Sequence, residues 1–163
     1  MSVNSSYIPV YGESPIPDPL SAPELYDGVL RRRLAAYCID LLCIGTLMVV
    51  LWFAFVILTV VSLGLLAPVL WFAFGLIPLA YHTLLLSGPR SATLGMRCFD
   101  LEMWAWNGER PGFLQALVQT VLFYVSVGFT GSLILLFALI NRRKRTLHDF
   151  VAGTLVLRAH PLP

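Results

Sequence analysis

Two charged residues at the start of a long apolar run are the first candidates for chemistry. Arg33 and Asp40 lie seven positions apart in "RRRLAAYCIDLLCIG" (residues 31–45). On an α-helix this spacing places both on one face, about 10 Å apart along the axis. A carboxylate facing hydrocarbon costs about 2.5–3.5 kcal/mol near the bilayer centre and less near the interface. Asp40 must therefore face protein, bind a cation or be protonated.

Few other ionisable residues could join such a site. His82 lies near the end of a second apolar run, and His148 and Asp149 follow a third in "RTLHDF". Three interpretations stay open. The first is a structural network that joins helix ends, and the second is an ion or proton site built from Asp40 and Asp149 with His82 nearby. The third is binding of anionic lipid headgroups by the arginine clusters.

Motifs of enzymes, metals and cofactors do not occur in the chain. There is no P-loop, zincin helix, dinucleotide-binding turn or nucleophile elbow. The three cysteines have neither metal-ligand spacing nor a disulfide framework. We therefore expect no enzyme, no metal and no cofactor.

The composition indicates a membrane protein. Hydrophobic residues make up 58% of the chain and charged residues 12%, whereas soluble domains run near one quarter charged. Residues 41–89 and 111–141 contain no Asp, Glu, Lys or Arg. We expect an all-α helical membrane protein with two transmembrane helices, at about 34–61 and 68–86, because each run is long enough to cross a bilayer.

The basic residues predict the orientation of these helices. Arg31–Arg33 precede the first, Arg90 and Arg97 follow the second, and the turn between them has none. The positive-inside rule then places the N-terminus in the cytoplasm.

A third hydrophobic region, residues 113–140, is harder to place. Two full crossings need about 40 residues, and one crossing would put "NRRKR" (141–145) outside. "SVGFTGS" (126–132) in its middle favours a broken or re-entrant segment, an interfacial half-helix followed by a short apolar helix, with both ends cytoplasmic. A single tilted crossing is the alternative.

The remaining segments predict tails and a small sheet. Residues 1–28 are acidic and proline-rich, so we expect a disordered or extended tail before a membrane domain at 29–158, and a short tail at 159–163. Polarity alternates over 99–105, and 153–158 is β-branched in part. These two segments predict a two-stranded cytoplasmic element.

Three stretches carry a resemblance to a known family. "RLAAYCID", "SATLGMR" and "RTLHDFVAGTLVL", in this order and spacing, resemble the RDD family of bacterial membrane proteins over roughly residues 29–158. By motif, the family arginine corresponds to Arg33 and its two aspartates to Asp40 and Asp149. The Thr-Leu-Gly turn and the Ala-Gly-Thr element of the family are matched by four further residues, Thr93, Gly95, Gly153 and Thr154. In three places the chain departs from relatives that often carry Lys or Arg, at Met96, Gln115 and Gln119.

The resemblance implies a multi-pass protein of the bacterial inner membrane. Transport of unknown ligands is suggested for the family, and sodium/proton exchange is attributed to some members. We expect a small ion or solute transporter that uses Arg33, Asp40 and Asp149, working as a homo-oligomer. The alternative is a non-transporting scaffold or accessory subunit in which these residues form a structural charge network. Expected partners are the bilayer and its anionic headgroups, not nucleic acid, through Arg31, Arg32, Arg142, Arg143, Lys144 and Arg145.

Overall fold

The structure, a computed structural model, describes residues 16, 22–130, 149 and 151–159. A 3-10 turn at Pro23–Leu25 precedes four helices and two strands. In chain order these are α1 (Val29–Val61), α2 (Ala67–Leu86), α3 (Leu94–Cys98), β1 (Leu101–Ala105), α4 (Phe113–Thr130) and β2 (Thr154–Arg158). The expectation of a mostly helical protein with two long apolar helices and a small two-stranded sheet is confirmed.

Helices α1 and α2 form a hairpin. With 33 and 20 residues they are about 50 Å and 30 Å long. Helix α1 begins five residues before the predicted start, because the arginines are good helix formers and extend it into the polar region. Between the helices, Gly64 adopts a positive φ of 84° and donates its N–H to the Thr59 carbonyl, which ends α1.

Most of the surface of this hairpin is exposed and apolar. Both helices are long and apolar enough to cross a membrane by length and composition. Within the most apolar window of each, only 6% of α1 and 17% of α2 is buried. A core helix of a soluble protein would be largely buried, so this surface needs another apolar environment.

The charges of the described residues lie at one end of the hairpin, which we call the polar end. It is opposite the 62–66 turn and carries α3, the sheet and the start of α4. The charge-free part of α1, residues 41–61, is about 31 Å long and matches the length of α2. Asp40 therefore lies directly at the boundary of the charge-free zone. The sequence placed it deeper in the apolar run, two helical turns after Arg33.

The sheet is antiparallel, and each of its faces is covered. Leu101 pairs with Arg158 and Met103 with Val156. The inner face packs into the main core, where it meets Val29, Ala36, Leu86, Ala92, Met96 and Ala116. β1 begins two residues later than predicted, because Phe99 caps α3 and Asp100 has a positive φ of 53°.

The outer face of the sheet explains why part of the predicted tail is ordered. Residues 22–28, expected within a disordered segment, form the 3-10 turn and the left-handed Gly28 that starts α1. Tyr26 and Ile16 are buried against Leu155 and Leu157. The other residues before 22, and residues 160–163, lie outside the described part.

Helix α4 covers the first part of the third hydrophobic region. It runs without interruption from Phe113 to Thr130, a length of 18 residues and about 27 Å, so Gly128 does not break it. Residues 131–140 lie outside the described part. Near the start of α4, Gln115 and Gln119 contact the chain at residues 149–153. Gln119 near the start of the segment 113–149 and Asp149 at its end therefore both lie at the polar end, as predicted for its two ends.

Candidate functional site

Asp40 is buried and accepts hydrogen bonds from three uncharged groups. Its side chain sits on the inner side of α1 with 3% of the residue exposed. Oδ1 accepts the Tyr81 hydroxyl at 2.8 Å and the Gly95 N–H at 2.8 Å, and Oδ2 accepts the Thr93 hydroxyl at 2.6 Å. The carboxylate thus ties α1 to α2 and to the start of α3.

The start of α3 is shaped to reach this carboxylate. Thr93 is the N-cap residue, and its hydroxyl accepts the Met96 N–H at 3.2 Å while donating to Asp40. At Gly95 the backbone of α3 lies directly against α1. A Cβ there would stand 2.0 Å from the Ala36 carbonyl oxygen and 2.9 Å from the Asp40 Cγ. Only glycine allows its N–H to approach Asp40 this closely.

Arg33 and Asp149 form the second centre. The two Arg33 Nη atoms donate to the two Asp149 oxygens at 2.5 and 3.1 Å, a bidentate pair. Gln119 Nε2 donates to Asp149 Oδ1 at 2.6 Å. Asp149 is fully buried and the Arg33 side chain is 15% exposed. This pair fixes the returning chain to both α1 and α4.

The prediction for Asp40 is correct in place and wrong in its hydrogen-bond partners. Asp40 lies in the interior near the polar end of the hairpin, as predicted. Its hydrogen-bond partners, however, are none of Arg33, His82 and Asp149, which the sequence favoured. Arg33 shares the face of α1 with Asp40 but turns to a partner more than a hundred residues away.

His82 occupies a third position between these centres. Its Nδ1 lies 3.2 Å from the Pro78 carbonyl oxygen and 3.0 Å from the Tyr124 hydroxyl, so it joins α2 to α4. The adjacent Tyr81 joins α2 to α1 through Asp40. Sequence reasoning missed Tyr81, although a hydroxyl one turn from the end of an apolar helix is a polar signal. His148 lies outside the described residues.

A cavity of about 90 Å³ separates the two carboxylate centres. Arg33 and Asp40 line it from α1, His82 from α2, and Gln119 from α4. Apolar side chains make up much of the remaining wall, from Ala36, Tyr37, Leu86, Met96, Met103, Phe123 and Val156. Arg33 and Asp40 therefore face one space, with Thr93 beside them, rather than pairing with each other, and Asp149 does not line it.

The Ala-Gly-Thr element anchors the start of β2. Gly153 has a positive φ of 65°, and its carbonyl accepts the Trp106 N–H at 2.8 Å and the Gln115 amide at 3.2 Å. Gln115 also donates to the Ala152 carbonyl at 3.1 Å, and Thr154 is completely buried. This element is structural in every contact that the described residues show.

The basic residues expected at lipid headgroups differ in what they contact. Arg31 is exposed. Arg32 instead donates to the Phe99 carbonyl at 2.9 Å and lies 3.9 Å from the Asp100 carboxylate. The basic run 142–145 lies outside the described residues.

The comparisons with known proteins identify the family. No curated protein and no solved structure matches the chain. The model of the RDD family matches residues 28–153, more than three quarters of the 163 residues, and this range holds Arg33, Asp40 and Asp149. The chain belongs to the RDD family.

Proposed function

We propose that the protein is a multi-pass protein of the bacterial inner membrane. The support is the exposed apolar surface of α1 and α2, their length, and the family. In this arrangement hydrocarbon covers the charge-free parts of both helices, about 30 Å long, which matches the thickness of a bilayer core. The polar end faces the cytoplasm by the positive-inside rule, and the exposed Arg31 lies where it can contact anionic headgroups.

Within that membrane protein, the Arg–Asp–Asp residues act as a structural lock. The observation that carries this proposal is the number of protein donors on each carboxylate. Among the described residues, three groups donate to Asp40, and Asp149 accepts two hydrogen bonds from Arg33 and one from Gln119. By the structural lock we mean these two carboxylates and their donors. They fix α3, the sheet and the returning chain to the polar end of the hairpin.

The function that follows is a membrane scaffold or accessory subunit. The lock presents the small sheet and α3 as one rigid polar unit at the cytoplasmic face. Transport of a small solute is the second candidate, and the cavity between the two centres favours it. The three described long helices α1, α2 and α4 are too few to surround a path across the membrane. Transport would therefore need several copies of the chain, as in a homo-oligomer.

Membrane topology is tested first. In a variant whose native cysteines are replaced by serine, Leu63→Cys lies in the exposed turn and Asn107→Cys in the exposed loop after β1. A membrane-impermeant maleimide applied to intact cells should label position 63 and not position 107. Labelling at position 107 but not at 63 would refute the proposed orientation, and labelling at both would refute the bilayer crossing.

The structural lock is tested by separating stability from flux. Asp40→Asn should lower the free energy of unfolding, because Oδ2 is replaced by a donor that faces the Thr93 hydroxyl. Proteoliposomes with the wild-type protein should show no more sodium or proton flux than empty vesicles. Flux that wild type supports and a folded Asp40→Asn variant loses would overturn the scaffold and establish the transporter.

A further inference from the structure

We propose that the cavity between α1, α2, α4 and the inner face of the sheet binds a small organic ammonium ion. Asp40 supplies the counter-charge, and the Gln119 side-chain oxygen supplies a second acceptor. This inference goes beyond the scaffold function and does not require transport.

The first argument is the charge of the cavity wall. Arg33 and Asp149 neutralise each other in a bidentate pair. Asp40 instead receives only uncharged donors, and no described cationic side chain lies within salt-bridge distance of it. The wall therefore carries one negative charge that no side chain in the described part of the chain balances. A cation in the cavity would balance it in a site where water screens charges poorly.

The second argument is an unused acceptor. Gln119 lines the cavity with 3% of its surface exposed, and its Oε1 has no hydrogen-bond partner among the described residues. The Gln119 Nε2 donates to a carboxylate oxygen of Asp149, which fixes the orientation of the amide group. Oε1 therefore points away from Asp149. Buried acceptors without a partner are rare, because they lose their hydration without replacement. Asp40 also retains one free lone-pair site, since its three bonds occupy three of about four.

The third argument separates an organic cation from a metal ion. Hard metal ions take about six or more oxygen ligands, usually with several carboxylates, whereas Asp40 is the single carboxylate in the described wall and no metal-binding group of three His, Cys, Asp or Glu residues occurs among the described residues. The rings of Tyr37 and Phe123 stand in its wall, 5.7 Å apart between centroids. Aromatic faces attract ammonium ions, and the apolar remainder suits alkyl carbons. The volume of about 90 Å³ equals about three water molecules, which limits the ligand to about three or four non-hydrogen atoms.

The test is calorimetric titration of the full chain in nanodiscs of zwitterionic lipid, at constant ionic strength. The probes are methylammonium, ethylammonium and sodium chlorides, with ethanol as the uncharged analogue of ethylammonium. We expect saturable binding of both alkylammonium ions, at least about tenfold weaker binding of sodium, and none of ethanol. Sodium binding as tight as that of ethylammonium, or no saturable ammonium binding, would overturn the proposal.

Variants place the binding in this cavity. Gln119→Met removes the acceptor at similar size and should weaken ethylammonium binding by about tenfold or more. The matched control is Val118→Met, an exposed position on the same helix that does not line the cavity, and this variant should bind as wild type does. Val156→Leu reduces the cavity, keeps every side-chain hydrogen bond, and should weaken ethylammonium more than methylammonium. Equal binding by wild type, Gln119→Met and Val156→Leu would place the ligand elsewhere and refute the site, whatever the stability measurements say of the scaffold.

Discussion

The close approach of α3 to α1 predicts that Gly95→Ala destabilises the protein strongly. In the native structure the new Cβ would lie 2.0 Å from the Ala36 carbonyl oxygen, 2.8 Å from its carbonyl carbon and 2.9 Å from Asp40 Cγ. Ordinary contact begins at 3.4 Å. The first two atoms belong to the backbone of α1 two turns inside its N-terminus, so side-chain rotamers cannot relieve the overlap and α3 itself must move.

The size of the effect follows from that movement. Opening the 2.0 Å contact to 3.4 Å takes the Gly95 N–H away from Asp40, where it now lies at 2.8 Å, and beyond hydrogen-bond distance. Overpacking costs about 1–3 kcal/mol, and a hydrogen bond to a charged group contributes about 1.5–3 kcal/mol. Gly95→Ala should therefore lower the free energy of unfolding by about 2.5–6 kcal/mol.

The assay is reversible unfolding of the purified protein in mixed micelles, followed by tryptophan fluorescence. Gly45→Ala in α1 and Gly75→Ala in α2 are matched controls, because no atom lies within 4 Å of the Cβ added at either position. Both controls should be neutral or more stable by up to about 1 kcal/mol, since alanine favours helix over glycine. If Gly95→Ala unfolds with the same free energy as the controls, α3 does not approach α1 in this way.

Two further predictions concern the returning chain. Arg33→Gln should cost about 3–5 kcal/mol, because it removes the bidentate guanidinium from the fully buried Asp149. Arg110→Gln, in a partly exposed pair with 4.0 Å between the charged atoms, should cost about 0–1 kcal/mol. Equal costs in the same unfolding assay would contradict the buried pair. Gln115→Leu removes the donors to the Ala152 and Gly153 carbonyls and should cost about 1–2 kcal/mol. The chain at the start of β2 should then be cleaved faster by a protease. Unchanged protease resistance would show that contacts other than those of Gln115 hold this strand in place.

The sequence predicts the elements well because they depend on local pattern. Charge-free runs define α1 and α2, and alternation over 99–105 defines β1 to within two residues. Of the two glycines in the predicted break "SVGFTGS", Gly128 is helical and Gly131 lies outside the described residues. Glycine inside a helix costs about 1 kcal/mol, and breaking backbone hydrogen bonds in an apolar environment costs more, so Gly128 stays helical.

The partners of the charged residues could not be predicted from spacing. Seven residues on a helix place Arg33 and Asp40 on one face, but spacing does not say which segment packs against that face. A search for charged partners of Asp40 also overlooks hydroxyl and backbone donors, and those are what the structure supplies. Only the resemblance at Thr93 and Gly95 pointed to the segment that binds Asp40, without indicating the contact.

These contacts make the Asp40 centre and the α3 turn one unit, and this has a measurable consequence. Gly95 lies close to α1 so that its N–H can donate to the Asp40 carboxylate. Asp40→Asn weakens this hydrogen bond, so Gly95→Ala should destabilise the Asp40→Asn variant less than it destabilises the wild-type protein. The two substitutions together should cost less than the sum of their separate costs, by about 1–1.5 kcal/mol, which is the difference between a hydrogen bond to a carboxylate and one to an amide oxygen. Arg33→Gln acts on the other centre, so its cost should add to that of Gly95→Ala within about 0.5 kcal/mol. Additive costs in both pairs would mean that α3 packs against α1 independently of Asp40, and the carboxylate would then need another reason to be buried there.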